Sequence, residues 1–469
     1  MPPLLILTLV RRSVYIKGKG PLLALAAIIS AGARTLEDAY AQQGHTFPSL
    51  NESFRPGPLD GDMALADTTR LIVAAAHQII ATVRAPLDTF QDYAPAMYLT
   101  SSLGFVDQTD IADVLKEAPA GLHVNDIGKK INVEPVKIAR VLRYLASRHV
   151  FREVAPNVFA NNRLSSFLVK TFPFEELKSK PADKYEGSPA AAFVGHMSDE
   201  AFKSAEFLPS QLLNDTQGYE TAFNQAYKTK QTLYYWYNAP DNQWCGSRFA
   251  ALIKGAGDSY PPSIFINGMV SMALQTPCSV VVDVGGSLGG LTLVLAREFP
   301  HLRYVVQDLA PIIVDAGKFW ADKAPELISS GQVTLQVQDF FQPQAVKEAS
   351  VYCMRFILHN WPDSTCEKIL RHLRAAAGPQ SKLVVFDGLM PLACPDDSEG
   401  ALPPPPFPLL ANLGLPVGGL LTWLDLHMLA TLNGQERTFS EFVELGARTG
   451  WKFEGVKQGK MAAIIFSAA

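Results

Sequence analysis

Cysteine is scarce in these 469 residues, and the five present (Cys245, Cys278, Cys353, Cys366 and Cys394) form no CxxC pair. Such spacing argues against a zinc knuckle, a disulfide framework or a dithiol redox centre, and a reducing, cytoplasmic setting is the simplest reading. Charge of one sign is missing too: 41 Lys and Arg oppose 45 Asp and Glu, a formal net charge of −4. With no overall field to draw it to nucleic acid or an anionic membrane, the chain is expected to meet a small molecule. Long apolar runs are also absent. The stretches Pro2 to Val10 and Pro21 to Ala33 fall short of the roughly 20 residues that span a bilayer, and Arg11, Arg12, Lys17 and Lys19 separate them. A cleavable signal peptide is disfavoured because the pattern continues helically through Leu36 and Tyr40. Residues 1–20 read as an extension without an assigned role.

What is present is apolar content, 48% of the chain, at a length that calls for two or more globular units. The Pro, Ser, Gly and Asp-rich stretch Phe47 to Asp62 separates helical patterns at Leu22 to Gln42 and Met63 to Leu87. Helical spacing then continues from Tyr93 through Val106 and over Ile111 to Leu115. A helix over Val124 to Ile131, a turn at Asn132 to Pro135 and a helix over Val136 to Arg148 give helix-turn-helix spacing. Strands at Val150 to Val154 and Val158 to Ala160 form the expected wing. The second helix carries Lys137, Arg140, Arg143 and Arg148, yet Val136, Ile138, Val141, Leu142 and Leu145 make it largely apolar. Packing or dimerisation is therefore expected of it rather than DNA binding. Aromatic-rich helices over 173–258, with Tyr234, Tyr235, Trp236 and Tyr237, suit core packing or a flat substrate's pocket equally.

From Val280 onward strands and helices alternate. Strands are expected at Val280 to Val284, Tyr304 to Gln307, Val333 to Val337, Val351 to Phe356 and Lys382 to Phe386. Helices are expected at Gly289 to Phe299, Pro311 to Ala324 and Asp363 to Ala377. This is the pattern of an α/β, doubly wound, Rossmann-like domain with a parallel sheet. A Pro-rich loop, Ala393 to Pro416, precedes helices Leu420 to Leu432 and Ser440 to Thr449 and strands near Lys452 to Val456 and Met461 to Phe466. The domains are thus 1–20, an all-α and winged-helix unit at 21–172, connecting helices at 173–258 and the Rossmann-like domain at 259–469.

The strand Val280 to Val284 breaks into Gly285-Gly286-Ser287-Leu288-Gly289 at a helix start, where backbone N–H groups are unpaired and glycine admits a ligand. A dinucleotide fingerprint needs glycine where Ser287 stands, so a pyrophosphate is poorly matched. Asp283 with Gly285 and Gly289 makes a DxGxxxG arrangement instead, with Asp283 placed for the amino group of an amino-acid-bearing nucleoside. Asp308 ends the next strand, where a carboxylate takes both ribose hydroxyls.

With these motifs, residues 278–469, and more loosely the chain from about 90, resemble the plant and fungal family of small-molecule O-methyltransferases, which includes caffeic acid and sterigmatocystin O-methyltransferases. The resemblance implies S-adenosyl-L-methionine as cofactor and a homodimer built through the winged-helix unit. It assigns Asp283, Gly285, Gly286 and Asp308 to the cofactor, Asp339-Phe340 to its adenine, and Arg355 to the cofactor's vicinity, where the plant proteins usually have Lys. The family's third glycine is replaced by Ser287.

Met354-Arg-Phe-Ile-Leu-His-Asn-Trp-Pro-Asp363 resembles the family's catalytic segment, with Asn360 in place of the usual aspartate. His359 is accordingly expected to be the general base that takes a hydroxyl proton as the oxygen attacks the sulfonium methyl. Asp387, in Val384-Val-Phe-Asp387, and Glu436, in Asn433-Gly-Gln-Glu-Arg-Thr438, are the carboxylates that either orient it or favour the imidazolium. By the same resemblance Met272, Trp361, His427, Met428 and Leu432 face the acceptor. No cluster with metal-ligand spacing accompanies them, so metal-independent catalysis is expected. The function implied is O-methylation of a phenolic or enolic hydroxyl of a small aromatic secondary metabolite. Carboxyl methylation, nicotinamide-dependent oxidoreduction, a winged-helix regulator and a homologue that binds cofactor without catalysis are the alternatives.

Overall fold

The computed structural model describes residues 20–258, 260–273, 279–396, 404–459 and 461–469. The chain divides into two compact units, residues 1–259 with 404–419, and residues 260–403 with 420–469.

In the first unit, helices Pro21–Gln42 and Met63–Val83 pack together, and Gly32 permits their approach, since a Cβ there would lie 2.5 Å from Ile72. Asp62 caps the second helix by accepting the N–H groups of Ala64 and Leu65. This helix ends at Val83, four residues short of the expected Leu87, because Pro86 holds Ala85 extended and starts a new helix, Pro86–Tyr93. The winged helix forms as expected from Val124–Ile131 and Pro135–Ala146, with one addition to its wing. A two-residue strand β1 (Leu122–His123) pairs with β3 (Val158–Ala160), which pairs with β2 (Arg152–Ala155). Two residues are too few to show alternation, so β1 was invisible in the sequence. Ile127, Ile138, Leu142, Leu145, Phe151 and Phe159 close its core. Three of the four basic side chains expected on the second helix have acidic partners: Lys137 pairs with Glu134, Arg143 with Glu153, and Arg148, just past the helix, with Asp92. Among the connecting helices, Phe223 and Tyr237 are buried in a mesh of rings, Tyr237 stacked on Phe249 at 4.9 Å, which is core packing.

The second unit is a seven-stranded sheet of β4 (Val280–Val284), β5 (Arg303–Asp308), β6 (Val333–Val337), β7 (Val351–Arg355), β8 (Lys382–Asp387), β9 (Trp451–Lys457) and β10 (Ala462–Ala468). Its order is β6-β5-β4-β7-β8-β10-β9, parallel from β4 to β8, with β10 antiparallel to both β8 and β9. Alternate residues serve opposite cores. Val281, Cys353, Val384 and Phe386 pack with Leu291, Leu295 and Trp320, whereas Val282, Tyr352, Met354 and Val385 pack with Ile369, Leu370 and Leu373. Burial on both faces is why these strands are continuous apolar runs in the sequence. The chain leaves β4 toward β5 and β6, then returns on the other side of β4 to build β7. That reversal opens a crevice at the C-terminal ends of β4 and β7, the place where open α/β sheets bind ligands. The helix expected from Leu420 begins at Leu415, because Pro416 sits in its first turn, where proline is tolerated. Among the described residues, no helix is long and apolar enough to cross a membrane.

Candidate active site

β4 turns into the crevice through Gly285 at φ +66°, and a Cβ there would come 2.7 Å from Ile357 and 3.5 Å from Phe340. The positive φ favours glycine, and any Cβ there would press on the end of the Ile357 side chain. The N–H of Gly286 donates to the Gln307 carbonyl (2.9 Å), which ties the loop to β5. Ser287 N–H donates to Asp308 Oδ2 (2.9 Å) and Leu309 N–H to Oδ1 (2.8 Å), so the Asp308 carboxylate is fixed with lone pairs remaining on each oxygen. Burial raises its pKa above the usual carboxylate range, and these two donors limit the rise. Asp283 lies deeper: it is buried, its Oδ2 accepts the Thr292 hydroxyl (2.7 Å), and desolvation raises its pKa. Only its Oδ1 stays outside that bond.

At the end of β6, Asp339 Oδ1 accepts the Phe341 N–H (2.9 Å) and so makes the turn that sets Phe340 beside Phe341, centroids 4.8 Å apart. Trp361, expected on the acceptor side, has its ring edge-on to Phe341 (5.0 Å) and Phe340 (6.3 Å). It follows the Leu358–Asn360 turn, and its ring meets the loop after β6. Arg355 ends β7 with its guanidinium over the Phe265 ring at 5.6 Å.

Beyond β7 the backbone makes a tight reversal, with Phe356 at φ +55° and Asn360 Nδ2 donating to the Phe356 carbonyl (2.9 Å). This sets His359 facing two buried carboxylates: Nδ1 is 2.7 Å from Glu436 Oε1 and 4.0 Å from Asp387 Oδ1. Burial alone would depress the imidazolium, but the two carboxylates outweigh it and the His359 pKa is raised. Burial lifts Asp387 to about 6, although His359 pulls it down, and its Oδ2 has no hydrogen-bond partner among the described residues. With Nδ1 held by Glu436, the ring directs Nε2 away from the carboxylates. Asp425 Oδ1 accepts the Glu436 N–H (2.8 Å) and steadies the carboxylate's backbone. Tyr260 stands near the same pair, its phenol pKa raised by burial and by Asp387 and Glu436. On helix Leu415–Leu432, Met428 is buried and His427 and Leu432 are half-buried. The side chain of Met272 lies outside the described residues. Sequence reasoning missed Tyr260 and Asp425, which sit in no motif, and Arg437, whose position next to Glu436 was the available signal.

Gly434 is where the two functional loops touch, since a Cβ there would lie 2.3 Å from the His359 carbonyl oxygen and 2.8 Å from the Asn360 carbonyl carbon. Both clashes are with backbone, so Gly434→Ala is expected to cost about 1–3 kcal/mol, read as a lower denaturation midpoint. An unchanged midpoint would show that the loops have slack.

The match to known proteins settles the family. The chain matches the model of the O-methyltransferase domain over residues 263–452 and that of the O-methyltransferase dimerisation domain over 92–171. It is 37% identical to an O-methyltransferase of Armillaria gallica, over 92% of this chain and 94% of the relative. The chain belongs to the O-methyltransferase family. It is also 34% identical to a 4-O-methyltransferase of Phanerochaete chrysosporium, over 92% of this chain and 94% of that protein. In fold it is similar to human N-acetylserotonin methyltransferase in complex with S-adenosylmethionine, with TM-score 0.59 and 18% identity over 82% of this chain and 99% of that one. This O-methyltransferase is therefore an enzyme of the secondary-metabolite type that depends on S-adenosylmethionine. The cradle fits that cofactor: Gly285 keeps the floor open, Asp308 offers two oxygens to a diol, and Phe340 offers a ring to a base.

Proposed function

We propose that this O-methyltransferase methylates a phenolic or enolic hydroxyl of a small aromatic metabolite, with His359 as the general base. The observation that carries the reading is the His359–Glu436 hydrogen bond with Asp387 behind it. When bound, S-adenosylmethionine supplies an electrophilic methyl group on a sulfonium. Asp308 would hold the ribose hydroxyls, Asp339 and Phe340 would border the adenine, and Asp283, Gly285, Gly286 and Arg355 would border the amino-acid end. Glu436 accepts the Nδ1 proton, which leaves Nε2 basic and aimed at the acceptor hydroxyl. As the oxygen attacks, Nε2 takes its proton, and the resulting imidazolium sits against Glu436 and Asp387. A free phenol titrates about 3–4 units above histidine, so proton transfer accompanies methyl transfer rather than preceding it. Met428, Leu432 and His427 contribute an apolar wall suited to a flat ring, and water excluded there does not penalise a reaction in which charge is lost.

The test is incubation with S-adenosylmethionine and a panel of phenols and aromatic carboxylic acids, with and without a chelator. Folding brings His359, Asp387 and Glu436 close enough to hold a cation, a cluster the sequence spacing did not show, but Nδ1 and Oε1 at 2.7 Å share a proton, so methyl ethers formed equally in both conditions are expected. Methyl esters alone would favour carboxyl methylation, and a loss restored by magnesium would overturn metal independence.

The second copy in a homodimer is expected on the first unit. The match to a dimerisation domain supports this, as do the exposed apolar side chains Val83, Leu87, Phe90, Tyr93, Met97 and Tyr98. Light scattering should give twice the chain mass of 51.1 kDa, and a monomer would refute it.

A further inference from the structure

Arg437 is fully buried, yet it touches neither carboxylate of the His359 site. Its guanidinium spends its donors on the backbone around His359. Nη1 donates to the Leu358 carbonyl (2.9 Å) and to Gln435 (3.3 Å), Nη2 to the Trp361 carbonyl (2.9 Å), and Nε to Asp363 Oδ1 (3.0 Å). Leu358 and Trp361 bracket His359 in the chain, and Glu436 is the residue immediately before Arg437. The seam is closed from the other side by Gln435 N–H donating to the His359 carbonyl (2.9 Å) and by the Met390 N–H on the Arg437 carbonyl (2.9 Å).

We propose that Arg437 is a positioning residue for proton transfer, its planar fork setting the distance between His359 and Glu436 by clamping the turn at 358–361 to the strand-like segment at 435–437. Burying a guanidinium costs several kcal/mol unless its donors are met, and here those donors are met by the backbone that carries the base. A lysine at this place keeps the charge but supplies a single point donor on a flexible stem, so it cannot hold Leu358, Trp361 and Asp363 in one plane.

The inference rests on His359 and Glu436 acting as a pair, and the test separates the two ideas. His359 is followed by NMR titration of its imidazole in protein labelled at histidine, assigned with His359→Ala, in the wild type, Arg437→Lys and Arg437→Gln. Groups facing the ring are Glu436, Asp387 and Arg437, with Tyr260 and Asp425 close to the carboxylates. In Arg437→Lys the charge is kept and the contact widens, so the His359 midpoint is expected to fall toward the ordinary histidine range. An unchanged midpoint in Arg437→Lys, with a rise in Arg437→Gln, means that Arg437 acts by charge alone and overturns the proposal. Turnover of a phenol that the enzyme accepts should fall about 10- to 100-fold in kcat in Arg437→Lys, with KM and S-adenosylhomocysteine affinity retained, as a misplacement near 1 Å predicts. If His359→Ala leaves turnover intact while the Arg437→Lys midpoint still falls, the base reading fails and the positioning stands. Should Arg437 variants not fold, Asp363→Ala removes the carboxylate that meets Nε and Nη2 of Arg437, with Arg448→Ala as the control for its other ion pair. Asp363→Ala is expected to give the same fall at smaller size, and no fall would overturn the proposal.

Discussion

His359→Ala is expected to lower kcat for a neutral phenol by about 10²–10⁴-fold, the usual contribution of a positioned general base, while S-adenosylhomocysteine binds as before. The loss should shrink for a nitrophenol that is already ionised at the assay pH, because no proton then has to be removed. The pH dependence has a definite sign. His359 accepts a proton only when neutral, and its pKa is raised above 6.5 by Asp387 and Glu436 despite the opposing effect of burial. Activity should therefore rise with pH through a midpoint above 6.5, a value that belongs to the coupled His359, Glu436 and Asp387 cluster. Glu436→Gln removes the nearer negative partner and should move that midpoint down with a lower plateau. A flat profile, or equal losses on neutral and ionised phenols, would refute the assignment of His359.

Asp308→Ala is expected to weaken cofactor binding strongly, read by calorimetric titration with S-adenosylhomocysteine. Hydrogen bonds to a charged acceptor contribute about 1.5–3 kcal/mol each. Losing two to the ribose weakens binding on the order of 100-fold or more. The substitution also frees Ser287 and Leu309, whose N–H groups the carboxylate now holds, so the loop after β4 loses its brace. Asp308→Asn keeps one acceptor oxygen and should fall between the wild type and Ala. Undiminished binding by folded Asp308→Ala would move the ribose elsewhere in the crevice.

Much of the second unit was legible because a parallel sheet covered on both faces leaves apolar runs such as β4, which lies where its run predicted; β6 and the winged-helix strand β3 also lie at their expected positions. What resisted was chemistry without periodicity. Tyr260 and Asp425 are ordinary residues in sequence, and they matter only because folding brings each toward Glu436. Trp361 meets Phe341 only through folding, a contact that no local pattern announces.

The amino-acid sequence by itself determined the doubly wound domain, the glycine turn, and the residue types of the site. Local pattern encodes these, since strand burial, helix starts and a chemical motif are written within a few residues of one another. Tertiary structure alone decided that His359 and Glu436, 77 residues apart, share a hydrogen bond at 2.7 Å with Asp387 behind them. It also decided that Asp283 turns to Thr292 while Asp308 stays partly open. The reason is physical: hydrogen bonding and desolvation depend on distance and burial, and both come from how β4, β7 and β8 are laid side by side.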